Sequence, residues 1–195
     1  MQRKQIKSMV SLLGDRSVRV RNRVSTFLES ALPGIAPVLQ EYAEEEEDPL
    51  IRERLVMIIE FGKSNDPRDH WEAMKRNMAF NLSDGMATIS LLDQDEKVTR
   101  LEILQQIDEL SDNWFRQLPD KLSADEKVAN LLEYLFKTVQ FSGNSEDYYS
   151  LENCFFHRMF AKKKGLPVTL SILAVILAEE AGLNLYGIGL PLHFI

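Results

Sequence analysis

Between Gly165 and Gly182 the chain runs from Leu166-Pro167-Val168 to Ala181, a segment of helical length that is apolar on nearly every side. Such a helix has no face to offer to water and has to be buried all round. Its limits are written locally. Pro167 suits a first helical position, where a missing N–H costs nothing, and Gly182 supplies the stop. The longest apolar run inside it, Ile172 to Ala178, is far too short to cross a bilayer. A core must therefore be built around this helix. The helices near Val128–Val139 and Asn153–Ala161 are its expected walls.

The rest of the chain can supply that wrapping. Of its 195 residues, 45% are hydrophobic and 27% charged, as in ordinary globular proteins. The net charge of −7 argues against a general grip on nucleic acid, which wants a basic face. Cys154 is the one cysteine. It can form no internal disulfide and no CxxC-type zinc site, and it fits a reducing cytoplasm. The basic N-terminus is followed by no long apolar stretch, so no signal peptide is read. The expectation is a cytoplasmic protein with no cofactor, no metal and no membrane segment, working with a protein partner.

Most of the chain reads as helix. Trp71 to Phe80 places Trp71, Met74 and Met78 on one stripe. Asn81-Leu82-Ser83-Asp84-Gly85 reads as a turn into Met86–Leu92. Lys97–Asn113 carries Val98, Leu101, Leu104, Ile107 and Leu110 at helical spacing. Ser-Ala-Asp-Glu from Ser123 is a capping-box pattern for a helix over Glu126–Val139. Phe141-Ser142-Gly143-Asn144 reads as a turn. Asn153 to Lys164 reads as a helix stopped by its lysine run and Gly165. Leu183–Leu190 reads as the first strand. Its edges would be unpaired if the protein ended here, so a longer natural chain is expected. His70 and His157 have no partners at ligand spacing and read as surface or boundary residues.

An echo appears near the start. Asp15-x-x-Val18-Arg19-x-Arg21 recurs as Asp48-x-x-Ile51-Arg52-x-Arg54, with Pro33-Gly34 and Pro37 as punctuation between the copies. The pattern resembles HEAT-type helical pairs, although its period is short for them. Two ordinary amphipathic helices in a bundle explain it equally. Charge is uneven here too. Met1–Arg23 holds seven Lys/Arg and one acid, and Glu44–Asp48 is a run of five acids. These are two solvated faces that attract one another, or a docking surface for a partner.

The set Phe141-Ser-Gly-Asn144, Tyr148-Tyr149, Asn153, Gly165-Leu-Pro167-Val-Thr169-Leu-Ser171, Gly182-Leu183 and Gly187-Ile-Gly189-Leu-Pro191-Leu-His193-Phe194 closely resembles the SirB-type family of transglutaminase-like proteins. Asn81–Gly85 and the helix around Ile107–Leu110 resemble that family's N-terminal half. The resemblance implies a mainly α chain: a helical bundle with HEAT-like N-terminal helices, leading into the start of a papain-like α+β core. It divides the chain into a helical unit at 1–62, a lead-in at 63–140 and a core that breaks off early at 141–195.

Active members of the wider superfamily use a Cys-His-Asp triad, with the cysteine at the start of a buried helix. A helix N-terminus lowers a thiol's pKa, and a nearby histidine completes its activation. In this chain Pro167 stands at the nucleophile position, and proline carries no nucleophile. His193 stands at the histidine position. Leu192 replaces the glycine usual before it. The implied function is therefore a non-catalytic interaction or scaffold module. The competing class is a cysteine hydrolase or acyl transferase using Cys154 and His193. Cys154, between Asn153 and Phe155, is either that substitute nucleophile or a small buried hydrophobe. Asn144, Tyr148, Tyr149, Asn153 and His193 are the candidate binding residues. Alternatively, the asparagines pin a loop against the buried helix. The hydroxyls of Thr169 and Ser171 are expected on nearby backbone groups.

Overall fold

The computed structural model describes residues 2–77, 81–190 and 193–194, with side chains through residue 188. It is mainly α-helical. Two compact units, Met1–Leu104 and Gln105–Ile195, divide the chain.

The first unit opens with α1 (Arg3–Leu12), α2 (Val18–Glu45) and α3 (Pro49–Phe61). Their shared core includes Ile6, Val10, Leu28, Leu39, Leu55 and Ile58. The echoed motif does mark two helix starts, but its residues do different work in each. Asp48 caps α3, accepting from the amides of Leu50 and Ile51. At the start of α2 the cap is Ser17, and Asp15 instead accepts from the Ser17 amide. Arg21 donates to the carbonyls of Asp15 and Arg16 in its own loop. Arg54 reaches back to the carbonyl of Leu13, beyond the end of α1.

The turn expected at Pro33-Gly34 and Pro37 does not form. Helix α2 runs through both prolines without interruption. Pro33, Gly34 and Pro37 lie on its exposed face, while Leu32, Ile35 and Leu39 are buried. Each proline removes one i→i−4 hydrogen bond. Burial of the opposite face outweighs that loss.

Helices α4 (Pro67–Arg76) and α5 (Leu82–Ser90) and the first turn of α6 (Arg100–Gln117) complete the unit. Asn81–Gly85 is a helix start and not the expected turn. Asn81 and Asp84 form a reciprocal capping box. Helix α4 buries His70, Ala73 and Met74, whereas Trp71 is exposed; Met78 of the expected stripe lies outside the described residues. His70, expected at the surface or its boundary, is 1% exposed. Its Nε2 lies 2.6 Å from the Ser64 carbonyl and 3.2 Å from that of Phe61, so this nitrogen carries the proton and donates. Arg100 is buried between Glu29 of α2 and Asp84 of α5, with its guanidinium carbon 4.0 Å from the centre of the Phe61 ring. Two carboxylates and an aromatic face hold that cation out of water.

In the second unit the rest of α6 buries Ile107, Ser111 and Trp114. Ser123 caps α7 (Ala124–Glu133) through the expected box with Glu126. The helix then widens into a π-helical turn over Tyr134–Thr138. Tyr134 donates its hydroxyl hydrogen to the Leu110 carbonyl at 3.0 Å, and burial raises its pKa. Next come β1 (Ser142–Gly143), a 3-10 turn (Leu151–Cys154), α8 (Phe156–Lys162), β2 (Lys164–Gly165) and α9 (Pro167–Glu180). Strand β3 (Gly189–Leu190) pairs antiparallel with β4 (His193–Phe194).

Helix α9 is buried as its apolar composition requires. Leu173 and Leu177 are fully buried, with Ile176 and Ala178 beside them. Helix α7 packs against it, and Ser111 of α6 donates to Glu180 near its end. Gly182 lies just beyond, with φ +71°. Three expectations in this unit are corrected. The first strand is β1 and not 183–190, because Ser142 and Asn144 give their amides to the carbonyls of Lys163 and Gly165. The expected helix 153–164 is split into the 3-10 turn and α8. His157 is buried and stacks on Phe155.

Candidate functional site

The candidate residues gather around the approach to α9. Helix α8 is capped by Lys163, which adopts a left-handed conformation at φ 54°. The sequence pointed to Gly165 for that role. Lys163 turns the chain there, and Gly165 serves a different need. A Cβ at Gly165 would lie 2.9 Å from Met159 Sδ and 3.0 Å from Thr169 Oγ1. Only glycine lets β2 pass this close to α8 and α9. The short parallel pair Ser142↔Lys164 and Gly143↔Gly165 then sets Asn144 beside the start of α9.

Pro167 is the first residue of α9, and no side chain caps the helix from Leu166. Thr169, one turn in, has its hydroxyl 3.0 Å from the Leu166 carbonyl and 3.1 Å from that of Asn153. One hydroxyl hydrogen is shared between the two, which ties α9 to the 3-10 turn.

Asn144 and Asn153 are brought together. Asn144 Nδ2 donates to Asn153 Oδ1 at 2.8 Å, and Asn144 Oδ1 accepts from the Asp147 amide at 3.3 Å. Asn153 is buried, and its Nδ2 donates to the carbonyls of Asp147 and Tyr148 at 2.7 and 3.2 Å. Both asparagine side chains are thus committed to the loop. The side chains of Tyr148 and Tyr149 are open to solvent, 49% and 92% exposed, in an edge-to-face pair. Cys154 is half-buried at the end of the 3-10 turn, one residue ahead of the cap of α8. The backbone of His193 lies in β4; its side chain, and with it any groove shared with Tyr148, lies outside the described residues.

Charge around the loop is mostly paired. Lys164 Nζ is 2.6 Å from Glu146, and that hydrogen bond and charge hold the carboxyl below its ordinary range. Glu152 takes Lys162 and, at 3.9 Å, Arg158. Nothing in the sequence marked Glu152 as this hub, since its partners come from a separate helix. Burial lowers the pKa of Lys163, whose ammonium lies 4.7 Å from the centre of the Phe141 ring. Among the described residues, no group of His, Cys, Asp and Glu is placed to hold a metal ion, and no helix is long and apolar enough to cross a membrane.

Residues 101–195 match the family described as the transglutaminase-like superfamily. A UPF0162 protein of Xylella fastidiosa is 32% identical over 69 residues, which is 35% of this chain and 25% of that protein. A UPF0162 protein of Pasteurella multocida is 25% identical over 100 residues, 51% of this chain and 38% of that protein. Human F-box only protein 21 is 28% identical over 76 residues, 38% of this chain and 12% of that protein. The chain thus spans about a quarter of the length of the Xylella relatives. No solved structure matches it.

Proposed function

We propose that the chain is a non-catalytic, transglutaminase-like protein-interaction module. One observation carries this reading: Pro167 opens α9, at the position where the resemblance implies a nucleophilic cysteine. Acyl transfer at neutral pH needs an activated nucleophile within hydrogen-bond reach of its base. Proline brings neither a thiol nor a donor. Asn144 is spent on Asn153 and the Asp147 amide, Asn153 on the Asp147 and Tyr148 carbonyls, and Thr169 on backbone oxygens.

The same reading takes residues 1–62 as a HEAT-like unit, 63–140 as a SirB-type lead-in and 141–195 as the start of the core. With one cysteine and no disulfide to form, its proposed place is the cytoplasm. The binding residues proposed are Asn144, Tyr148, Tyr149, Asn153 and His193, the asparagines acting as positioning residues.

A transamidase, peptidase and deamidase screen on the full chain tests the reading, with Cys154→Ser and His193→Ala beside the wild type. Silence in all three, with the helical signal retained, is the expected result. Turnover lost in both variants would overturn it and make Cys154 the nucleophile.

A further inference from the structure

We propose that the loop at residues 144–152 docks an arginine-bearing polypeptide segment, gripped by the Tyr148–Tyr149 rings and the Asp147 carboxylate. The proposal rests on the interaction-module reading and names its partner class.

The loop exposes apolar surface at unusual density. Tyr149 is 92% exposed, Leu151 76% and Tyr148 49%. Large apolar side chains left open at three of four consecutive positions suit a binding surface. The loop is also stitched rather than slack. Asn153 holds the carbonyls of Asp147 and Tyr148, Asn144 holds the Asp147 amide, and Ser150 closes a turn onto the Asp147 carbonyl at 3.3 Å. A side chain presented from a fixed backbone loses little further freedom when it binds.

Ring geometry and charge name the ligand. The two ring centres lie 5.3 Å apart with planes at 85°, so each ring braces the other while Tyr149 keeps almost all its surface open. Open aromatic faces attract cations. Of the loop's three acids, Glu146 is taken by Lys164, and Glu152 by Lys162 and Arg158. Asp147 is exposed, and its carboxylate meets no cation among the described residues. An uncommitted carboxylate next in sequence to two tyrosine rings suits a guanidinium, which stacks flat on a ring and forks onto a carboxylate. An ammonium cannot stack in that way.

The test uses the full chain with fluorescein-labelled hexa-arginine and hexa-lysine peptides, read by anisotropy, and amide shift mapping with the unlabelled hexa-arginine. Hexa-arginine should bind more tightly than hexa-lysine, with the largest shifts at residues 145–152. Tyr149→Ala should weaken it roughly threefold and, at so exposed a site, leave the fold intact. Tyr186→Ala, an exposed tyrosine outside the loop, should leave it unchanged. Asn153→Ala should weaken binding with both rings still present, as expected of a positioning residue. Equal affinity for the two peptides, indifference to Tyr149→Ala, or shifts centred elsewhere would overturn the proposal. Enzyme turnover with peptide binding intact would sink the non-catalytic reading and leave the loop's role standing.

Discussion

Helices α2 and α9 both contain proline, and they treat it in opposite ways. In α9, Pro167 sits at the first position, where the local preference and the structure agree. In α2, Pro33 and Pro37 sit in the interior, and the helix continues regardless. The difference lies in what each side of the helix touches. The α2 prolines face solvent while Leu28, Leu32, Ile35 and Leu39 bury the other side, so the lost hydrogen bonds fall where water can replace them. A local stop signal holds only when the surrounding core does not gain more from ignoring it.

The largest effect belongs to the charge that fastens α2 to its neighbours. Arg100→Ala leaves Glu29 and Asp84 facing each other with no cation between them. It should cost about 3–5 kcal/mol in a urea melt. A loss below about 1 kcal/mol would show that the triad is not what holds α2 in place.

Leu173→Ala tests α9 in the same currency. Leu173 is fully buried, and its truncation should cost roughly 2–5 kcal/mol.

The two prolines then separate by sign. Pro33→Ala restores an amide for the Glu29 carbonyl on an exposed face and should stabilise by about 1–2 kcal/mol, the helix gain exceeding the entropy released to the unfolded chain. Pro167→Ala has no hydrogen bond to regain and should destabilise by less than about 1 kcal/mol. Equal shifts from both would remove the distinction between the two helices.

The smallest effect is electrostatic. The carboxyls of Glu102 and Glu126 are held below their ordinary range, first by the backbone amides of Thr99 and Ser123 and then by those residues' hydroxyls. A depressed folded-state pKa means that the stabilisation is fully present above the unfolded value, about 4.3. It is lost as pH falls through the lower folded value. Glu126→Gln should therefore lower the urea midpoint slightly at pH 7 and converge with wild type near pH 3.

Where the sequence could be read, residues within one turn of each other carried the whole local instruction. Ser123 with Glu126, and Pro167 with Gly182, fixed helix limits through contacts within a single turn. Asn81-Leu-Ser-Asp84 misled for an instructive reason. The residues of a turn are also those of a capping box, and the burial of Met86, Ala87, Thr88 and Ser90 in the turns that follow decides between them. His70 and Lys163 were illegible. The first is buried because the carbonyls of Phe61 and Ser64 converge on it, and the second turns left-handed because β2 must pair with β1. At the site, Asn144 and Asn153 were legible as residues that pin a loop, but not their bond to each other or the commitment of Asn153 to the Asp147 and Tyr148 carbonyls. Those partners depend on a fold of the loop that no spacing rule encodes.

Intact-mass spectrometry of the full chain, incubated with an activated acyl ester and quenched at short times, reads the chemistry of this site without a choice of substrate. A protein with proline at the head of α9 and no working nucleophile should keep its mass, apart from slow acylation that is the same in Cys154→Ser and His193→Ala. A stoichiometric acyl adduct on Cys154 that forms in the first seconds and disappears in His193→Ala would contradict it.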